Sequence, residues 1–207
     1  KGTPMVYTSH SEYHVEKPQI EYSNPDVRRY IAIRPSIQER WQFPRCSVIY
    51  NPIDFSRFCP TDRGGCGGSP PLILFPATFD PLRLNAVEKL VDYCNTNKYD
   101  LLFCGIRKVN GYPNDYISKY LNEHIKHVEA IWHIEKLIQR ADIIAGIEVG
   151  RTTIEGWCCG KLGLVYYQDY NTAFRERTSI RDYELLAPPL DISKYDSRIV
   201  VKQIVEV

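Results

Sequence analysis

The run Leu72-Ile73-Leu74-Phe75 begins a regular alternation of short apolar segments and amphipathic segments. Apolar residues follow this run at helical spacing, at Leu84, Val87, Leu90, Val91 and Cys94. The same pair of signals recurs along the chain, with apolar runs at Leu101–Cys104, Val128–Ile131, Ile143–Ala145 and Leu164–Tyr167 and helical spacing around Ile117, Ile138 and residues 152–159. Short strands that alternate with helices form right-handed βαβ crossovers. The sequence therefore predicts an α/β fold with a doubly wound parallel sheet.

The residues before this alternation have a different pattern. Residues 59–71 are rich in glycine and proline, a composition typical of a linker. Residues 1–58 contain isolated strand-like runs with few helices between them, at Met5–Thr8, Tyr30–Ile33 and Ser47–Tyr50. We expect three segments: the incomplete end of a preceding α/β lobe at 1–58, a linker at 59–71, and the main domain at 72–207.

Composition and charge exclude several classes of function. The 207 residues are 43% hydrophobic, which is enough for a core. Lys and Arg (26) nearly balance Asp and Glu (25), so no global positive field favours nucleic acid. No apolar run is long enough to span a bilayer, and Lys1–Val6 lacks the layout of a signal peptide. We expect a cytoplasmic protein in which any anion binds to a local site.

The cysteines favour free thiols. Most of the seven lie in apolar segments, at Cys94, Cys104, Cys158 and Cys159. Cys59 and Cys66 flank a glycine-rich loop, where a disulfide or a shared metal is an alternative, but no second pair has metal-ligand spacing. His10 and His14 form an i, i+4 pair that lacks a third ligand. The prediction is therefore that the protein has no metal and no cofactor.

The segment from Gly150 to Glu155 follows the apolar run at 143–145 and begins a helix. Gly150 allows close approach to the backbone, and Thr152 and Thr153 lie in the first turn, where free amides and the helix dipole favour a phosphate. Arg151 adds a positive charge, and Glu155 can accept hydrogen bonds from two vicinal hydroxyls. These residues alone leave two interpretations open, a phosphate site and an ordinary helix start with an Arg–Glu ion pair.

The stretch Gly150-Arg151-Thr152-Thr153-Ile154-Glu155-Gly156-Trp157-Cys158-Cys159-Gly160-Lys161 resembles the donor-site signature of family-4-like glycosyltransferases of the GT-B fold. The common form there is Glu-Gly-x-Gly, four residues, then Glu-Ala-Met-Ala-Cys-Gly-Lys-Pro. Residues that match in register are Gly150, Glu155, Cys159, Gly160 and Lys161. The resemblance implies that 72–207 is the Rossmann-like carboxyl-terminal lobe, which binds a nucleotide sugar.

The resemblance continues upstream. Val48–Phe58 is similar to the interdomain sequence Val-Ile-Pro-Asn-Gly-Val-Asp of the family, which ends in Arg-Phe. Arg29–Trp41 resembles the last strand and helix of the amino-terminal lobe, and Met5–His10 resembles a strand that ends in a histidine on the acceptor side. His10 is therefore a candidate catalytic residue, although a loop histidine without a role is the alternative.

The family implies transfer of a sugar from a nucleotide diphosphate sugar, usually with retention and without a metal. The charge of the leaving group must then be met by protein cations and a helix start. The candidates are Arg151, the amides of Thr152 and Thr153, and Arg83. Arg83 corresponds approximately to the basic residue of the family segment Gly-Arg-x-Asp-Pro-x-Lys, which here reads Ala77–Arg83.

Two residues depart from the family pattern. Thr78 stands where a diphosphate-binding arginine is usual. The first glutamate of the two-glutamate motif falls on Ile147, with Glu148 displaced by one residue. These departures are consistent with a second hypothesis, a non-catalytic nucleotide-sugar-binding or interaction module. A third hypothesis is a sugar-nucleotide epimerase of the same fold. The expected partners are a nucleotide sugar and an acceptor that is a glycan, lipid or protein. We expect no nucleic acid and no transmembrane segment, and any peripheral membrane contact is expected through the rest of the amino-terminal lobe.

Overall fold

The computed structural model describes residues 5–9, 26–61, 70–80, 83–107, 115–169 and 178–206. Along the chain the elements are β1 (Met5–Ser9), β2 (Val27–Ala32), α1 (Pro35–Trp41), β3 (Cys46–Val48), β4 (Leu72–Pro76), α2 (Leu84–Asn97), β5 (Asp100–Cys104), β6 (Ile125–Val128), α3 (Glu135–Arg140), β7 (Ile143–Ile147), α4 (Arg151–Cys158), β8 (Leu162–Asp169), β9 (Thr178–Leu186) and α5 (Ser197–Val205). These elements form two compact units.

The first unit contains the described residues before Phe55 and those from Ser193 onward. Its parallel sheet has the order β1-β2-β3. Alternate residues of β2 face opposite sides. Tyr30 packs with α1 through Ile37 and stacks on Phe43 with ring centroids 5.0 Å apart, whereas Ile31 packs against Val200 of α5. This unit is a partial α/β lobe.

The second unit contains a six-stranded sheet in the order β6-β5-β4-β7-β8-β9. All neighbouring pairs are parallel except β8 with β9. Helices cover both faces of this sheet, as alternate residues of β7 show. Ile143 and Ala145 lie in the same hydrophobic cluster as apolar residues of α2, whereas Ile144 lies against Gly156 of α4 on the other face. The predicted doubly wound α/β fold is confirmed.

Several local predictions in the second unit were wrong. The third strand is Ile125–Val128 and not Val128–Ile131, because Ile125 pairs with Leu101 of β5. Lys126 and His127 therefore lie on an edge strand. The helical spacing at 116–121 produces only a 3-10 turn at Ser118–Tyr120.

The end of the chain also differs from the expected arrangement. The predicted segments 1–58, 59–71 and 72–207 stay a prediction, but Ser193 and the residues after it group with the first unit. Two interactions explain this grouping: the backbone N–H of Ser197 donates to the carbonyl of Ile53 at 2.9 Å, and Val200 is fully buried beside Ile31 and Ile49. In the described part of the chain, no helix is long and apolar enough to cross a membrane.

Candidate functional site

The strand order of the second unit reverses direction between β4 and β7. From β4 the chain proceeds to β5 and β6 on one side, and it then returns to place β7 on the other side of β4. Ligands of open α/β sheets bind at such a reversal, outside the carboxyl ends of the strands. Thr78 and Arg83 follow β4, and Gly150 and Arg151 follow β7. The structure thus brings the two predicted groups of site residues to the same edge of the sheet.

Helix α4 begins at this edge without a side-chain cap. Gly150 is the N-cap residue in an extended conformation, with φ −93° and ψ −177°, and its carbonyl accepts from the N–H of Ile154 at 3.2 Å. The first-turn amides, those of Arg151, Thr152 and Thr153, are among the groups that a helix leaves without intrahelical partners. Together with the helix dipole they suit an anion.

The loop before α4 has a constrained backbone. Glu148 adopts φ +56°, a left-handed conformation that is uncommon for a residue other than glycine. Its N–H donates to the carbonyl of Tyr166 at 2.9 Å, and its own carbonyl accepts from the N–H of Gly150 at 2.9 Å. These two hydrogen bonds fix the turn that leads into the first turn of α4.

Three glycines hold α4 unusually close to the sheet. A Cβ on Gly156 would lie 2.6 Å from Cγ1 of Ile144, and one on Gly163 of β8 would lie 2.7 Å from Cγ2 of Thr153. A Cβ on Gly146 of β7 would lie 2.9 Å from Oγ1 of Thr153. The Thr153 side chain fills this space, and the residue as a whole is 1% exposed. The glycines therefore set the position of the helix start.

Glu155 and Arg151 form an ion pair on α4, with Arg151 Nε 2.8 Å from Glu155 Oε1. The Arg151 side chain is 60% exposed, whereas that of Glu155 is 9% exposed. Burial raises the pKa of Glu155 above its ordinary value, even though Arg151 and Arg57 both act to lower it. The arrangement places an exposed guanidinium beside a buried carboxylate, and the ion pair is the contact that the ordinary helix-start interpretation predicts.

A second ion pair lies beside the first. Arg57 Nη2 is 2.8 Å from Oε2 of Glu135, the first residue of α3, and His133 Nδ1 is 2.9 Å from Oε1 of the same carboxylate. Glu135 is buried. Burial acts to raise the pKa of Glu135, but hydrogen bonds from its own amide, Arg57 and His133 hold it below the ordinary value. No local sequence pattern indicates this pair, because its members are 78 positions apart.

The loop after β4 contains the other two predicted residues. Thr78 is exposed and carries no charge, and its carbonyl accepts from the N–H of Asp80 at 3.0 Å. The Arg83 guanidinium forms an ion pair with Asp80, whose carbonyl accepts from the hydroxyl of Tyr116 at 3.0 Å. An anion at Arg83 would have to share this guanidinium with Asp80.

Some predicted residues lie outside the described part of the chain, namely His10, His14 and Cys66. Cys59 is described and has a free thiol, which donates to the carbonyl of Ser56 at 3.9 Å. Within the described ranges, no group of three or more His, Cys, Asp or Glu side chains is arranged to hold a metal ion.

The architecture is similar to that of solved glycosyltransferases. HepE from Anabaena in complex with UDP-glucose matches with a TM-score of 0.59 and 17% identity, over 78% of this chain and 53% of HepE. The complex of HepE with UDP matches with a TM-score of 0.60 and 17% identity, over 78% and 53%. A glycosyltransferase from Rickettsia africae matches with a TM-score of 0.58 and 21% identity, over 77% of this chain and 50% of the other.

These similarities define the class of fold. The chain has the mixed α/β, Rossmann-like fold of GT-B glycosyltransferases, and it spans about half the length of the structures that it matches. No protein-family model matches the chain, and no curated protein matches it. At these levels of identity the likeness describes the fold, so activity must be argued from the site.

Proposed function

We propose that this chain supplies the donor-binding lobe of a GT-B glycosyltransferase resembling family 4, which transfers a sugar from a nucleotide diphosphate sugar to an acceptor. One observation carries the proposal: an uncapped helix start with an arginine in its first turn and a buried carboxylate one turn further lies at the reversal of the strand order. The solved HepE complexes with UDP and UDP-glucose support this choice of ligand.

The reaction divides into binding and bond exchange. The diphosphate binds at the amides of Arg151, Thr152 and Thr153, and Glu155 accepts hydrogen bonds from the ribose hydroxyls. The bond between the sugar C1 and the diphosphate oxygen breaks, the acceptor hydroxyl oxygen forms the new bond to C1, and the hydroxyl proton passes to the departing diphosphate or to solvent. Arg151 and Arg83 offset the charge on the departing nucleoside diphosphate. His10 on the acceptor side, retention and metal independence belong to the same proposal by family resemblance.

Two residues favour a second candidate, a module that binds the nucleotide sugar without transfer. Thr78 brings no charge to the edge of the sheet, and Ile147 packs against the apolar core where the family has a sugar-binding glutamate. Turnover separates the candidates. The transferase releases nucleoside diphosphate together with glycosylated acceptor, whereas the module binds the nucleotide and releases neither.

Calorimetry with UDP-, GDP-, ADP- and CDP-sugars tests the site. We expect Arg151→Gln and Glu155→Gln each to weaken binding roughly tenfold, because each removes a charge-assisted hydrogen bond. The matched controls are Arg28→Gln on the exposed side of β2 and Glu123→Gln, an 87% exposed side chain. Absence of heat with every donor, or equal losses in the controls, would overturn the proposed site.

A further inference from the structure

The first part of the loop after β4 is held by hydrogen bonds to the neighbouring strand and its loop. The N–H of Ala77 donates to the carbonyl of Cys104 at 2.9 Å, and the N–H of Phe79 donates to the carbonyl of Ile106 at 2.9 Å. The Phe79 side chain is buried in the hydrophobic cluster of the second unit. These contacts fix the loop as far as the residue before Asp80.

Asp80 joins this loop to Arg83 in two ways. Its carbonyl accepts from the N–H of Arg83 at 3.0 Å, and its carboxylate forms an ion pair with the guanidinium of the same residue. Arg83 is the N-cap residue of α2, and its side chain is 34% exposed. Because a guanidinium carries five N–H groups, Arg83 can bind Asp80 and still donate to an anion. The position of the Arg83 guanidinium therefore depends on that of Asp80.

Tyr116 fixes Asp80 from the other side. Its hydroxyl donates to the same Asp80 carbonyl at 3.0 Å, so this oxygen accepts from both Tyr116 and Arg83. The Tyr116 ring is half-buried and packs against the hydrophobic cluster. Burial and the charge of Asp80 raise the pKa of Tyr116 above its ordinary value, so the hydroxyl keeps its proton and remains a donor. A path of direct contacts thus runs from the core through Tyr116 and Asp80 to Arg83.

Tyr120 provides a natural comparison. It ends the 3-10 turn that follows Tyr116, and its hydroxyl donates to Oε1 of Glu88 on α2 at 2.9 Å. Each tyrosine therefore fastens the same short segment to the second unit through one hydroxyl. Tyr116 reaches the loop that carries Asp80, whereas Tyr120 reaches α2 beyond its first turn.

We propose that Tyr116 and Asp80 are positioning residues of the donor site, which hold the Arg83 guanidinium where it meets the diphosphate. This inference rests on the proposed function, because it assumes that Arg83 contacts the diphosphate of the donor. The competing explanation is that the Tyr116 hydroxyl only fastens its own segment to the loop after β4.

Calorimetry with UDP, GDP, ADP and CDP compares the wild type with Tyr116→Phe, and Tyr120→Phe is the matched control. Both substitutions remove one hydroxyl and keep the ring, so we expect similar losses in melting temperature. Tyr116→Phe should weaken binding of the nucleoside diphosphate roughly threefold, because Arg83 is no longer held in position. Tyr120→Phe should bind as tightly as the wild type. In an Arg83→Gln background, which itself binds more weakly, Tyr116→Phe should cause no further loss of affinity.

Asp80→Glu is a second variant that acts without a change of charge. The backbone carbonyl that accepts from Tyr116 remains, but the added methylene shifts the carboxylate that holds Arg83. We expect a loss of affinity of roughly threefold, which is again absent in the Arg83→Gln background. This variant decides the question if Tyr116→Phe does not fold.

The outcomes separate this inference from the proposed function. If the wild type binds a nucleoside diphosphate and either Tyr116→Phe or Asp80→Glu binds it as tightly, the inference is overturned and the proposed function stands. An Arg83→Gln protein that binds as tightly as the wild type has the same meaning. Equal losses with and without Arg83, or an equal loss in Tyr120→Phe, would show fastening alone and also overturn the inference. Absence of heat with all four nucleotides would overturn the proposed function, and this inference with it.

Discussion

Replacement of Gly156 by alanine tests whether the position of α4 controls both stability and binding. The added Cβ would lie 2.6 Å from Cγ1 and 3.0 Å from Cβ of Ile144. Carbon atoms in contact prefer about 3.5 to 4.0 Å, so the helix or Ile144 must move by about 1 Å. Ile144 is fully buried in β7 and is paired with Leu74 on β4 and Gly163 on β8. The helix must therefore move.

Two opposing effects set the size of the change. Alanine gains about 1 kcal/mol over glycine in a helix interior, whereas overpacking a well-packed core costs roughly 1 to 3 kcal/mol. We expect a net loss of about 1 kcal/mol in the free energy of unfolding. Because the displaced helix also carries the first-turn amides and Glu155 away from their positions, we expect roughly tenfold weaker binding of UDP-glucose.

Urea denaturation and calorimetry measure the two effects. Gly150→Ala is a control for the steric clash alone, since a Cβ there would meet only the carbonyl oxygen of Ile147 at 3.7 Å. Its cost in stability reports the N-cap preference for glycine over alanine, and its affinity is not compared because Gly150 lies at the proposed donor site. Ile144→Ala removes Cγ1, the atom that the new Cβ would clash with. The losses in the free energy of unfolding of the two single variants should therefore sum to more than the loss of the double variant. Additive costs, or a Gly156→Ala protein more stable than the wild type, would refute this account.

Three further substitutions test the packing of the second unit. Tyr166→Phe should leave the free energy of unfolding unchanged or raise it by about 1 kcal/mol, because its buried hydroxyl has no hydrogen-bond partner among the described residues. Tyr183→Phe should lower the free energy of unfolding by about 1 kcal/mol, because it removes a hydroxyl that donates to the carbonyl of Ala86 at 3.0 Å. Denaturation curves that show Tyr166→Phe to be less stable than Tyr183→Phe would contradict both expectations. Gly105→Ala should cost at least about 3 kcal/mol, since φ is +150° and a Cβ would lie 1.7 Å from the carbonyl oxygen of Ala77. A melting temperature equal to that of the wild type would contradict this third expectation.

The sequence predicted those parts of the fold that depend on local pattern. The runs that became β4, β5 and β7 are apolar without interruption, because a central parallel strand is buried on both faces. The start of α4 was also predicted, since Gly150 and the apolar residues after it are local signals. Periodicity carries such information because it reports which face of an element is buried.

Other parts depend on contacts between distant residues. Strand β6 lies at the edge of the sheet and carries Lys126 and His127, so its pattern lacks the apolar run of a central strand. The pairing of β9 with β8 and the packing of α5 on the first unit are set by tertiary contacts. The ion pair between Arg57 and Glu135 also joins residues that are distant in sequence, so no local sequence pattern predicts it.

The charges at the carboxyl edge of the sheet determine how an anion can be recognised there. Arg83 is paired with Asp80, and Arg151 is paired with Glu155, so neither guanidinium adds an uncompensated positive charge. The chain as a whole has a net charge of only +1, which provides little long-range attraction for a nucleotide. Under the proposed function, we therefore expect recognition to arise at short range, from amides at the start of α4 and from guanidiniums that carboxylates hold in place before the ligand arrives. Such a site gains specificity from geometry more than from charge, which is why the glycines that fix α4 matter as much as the charged residues it carries.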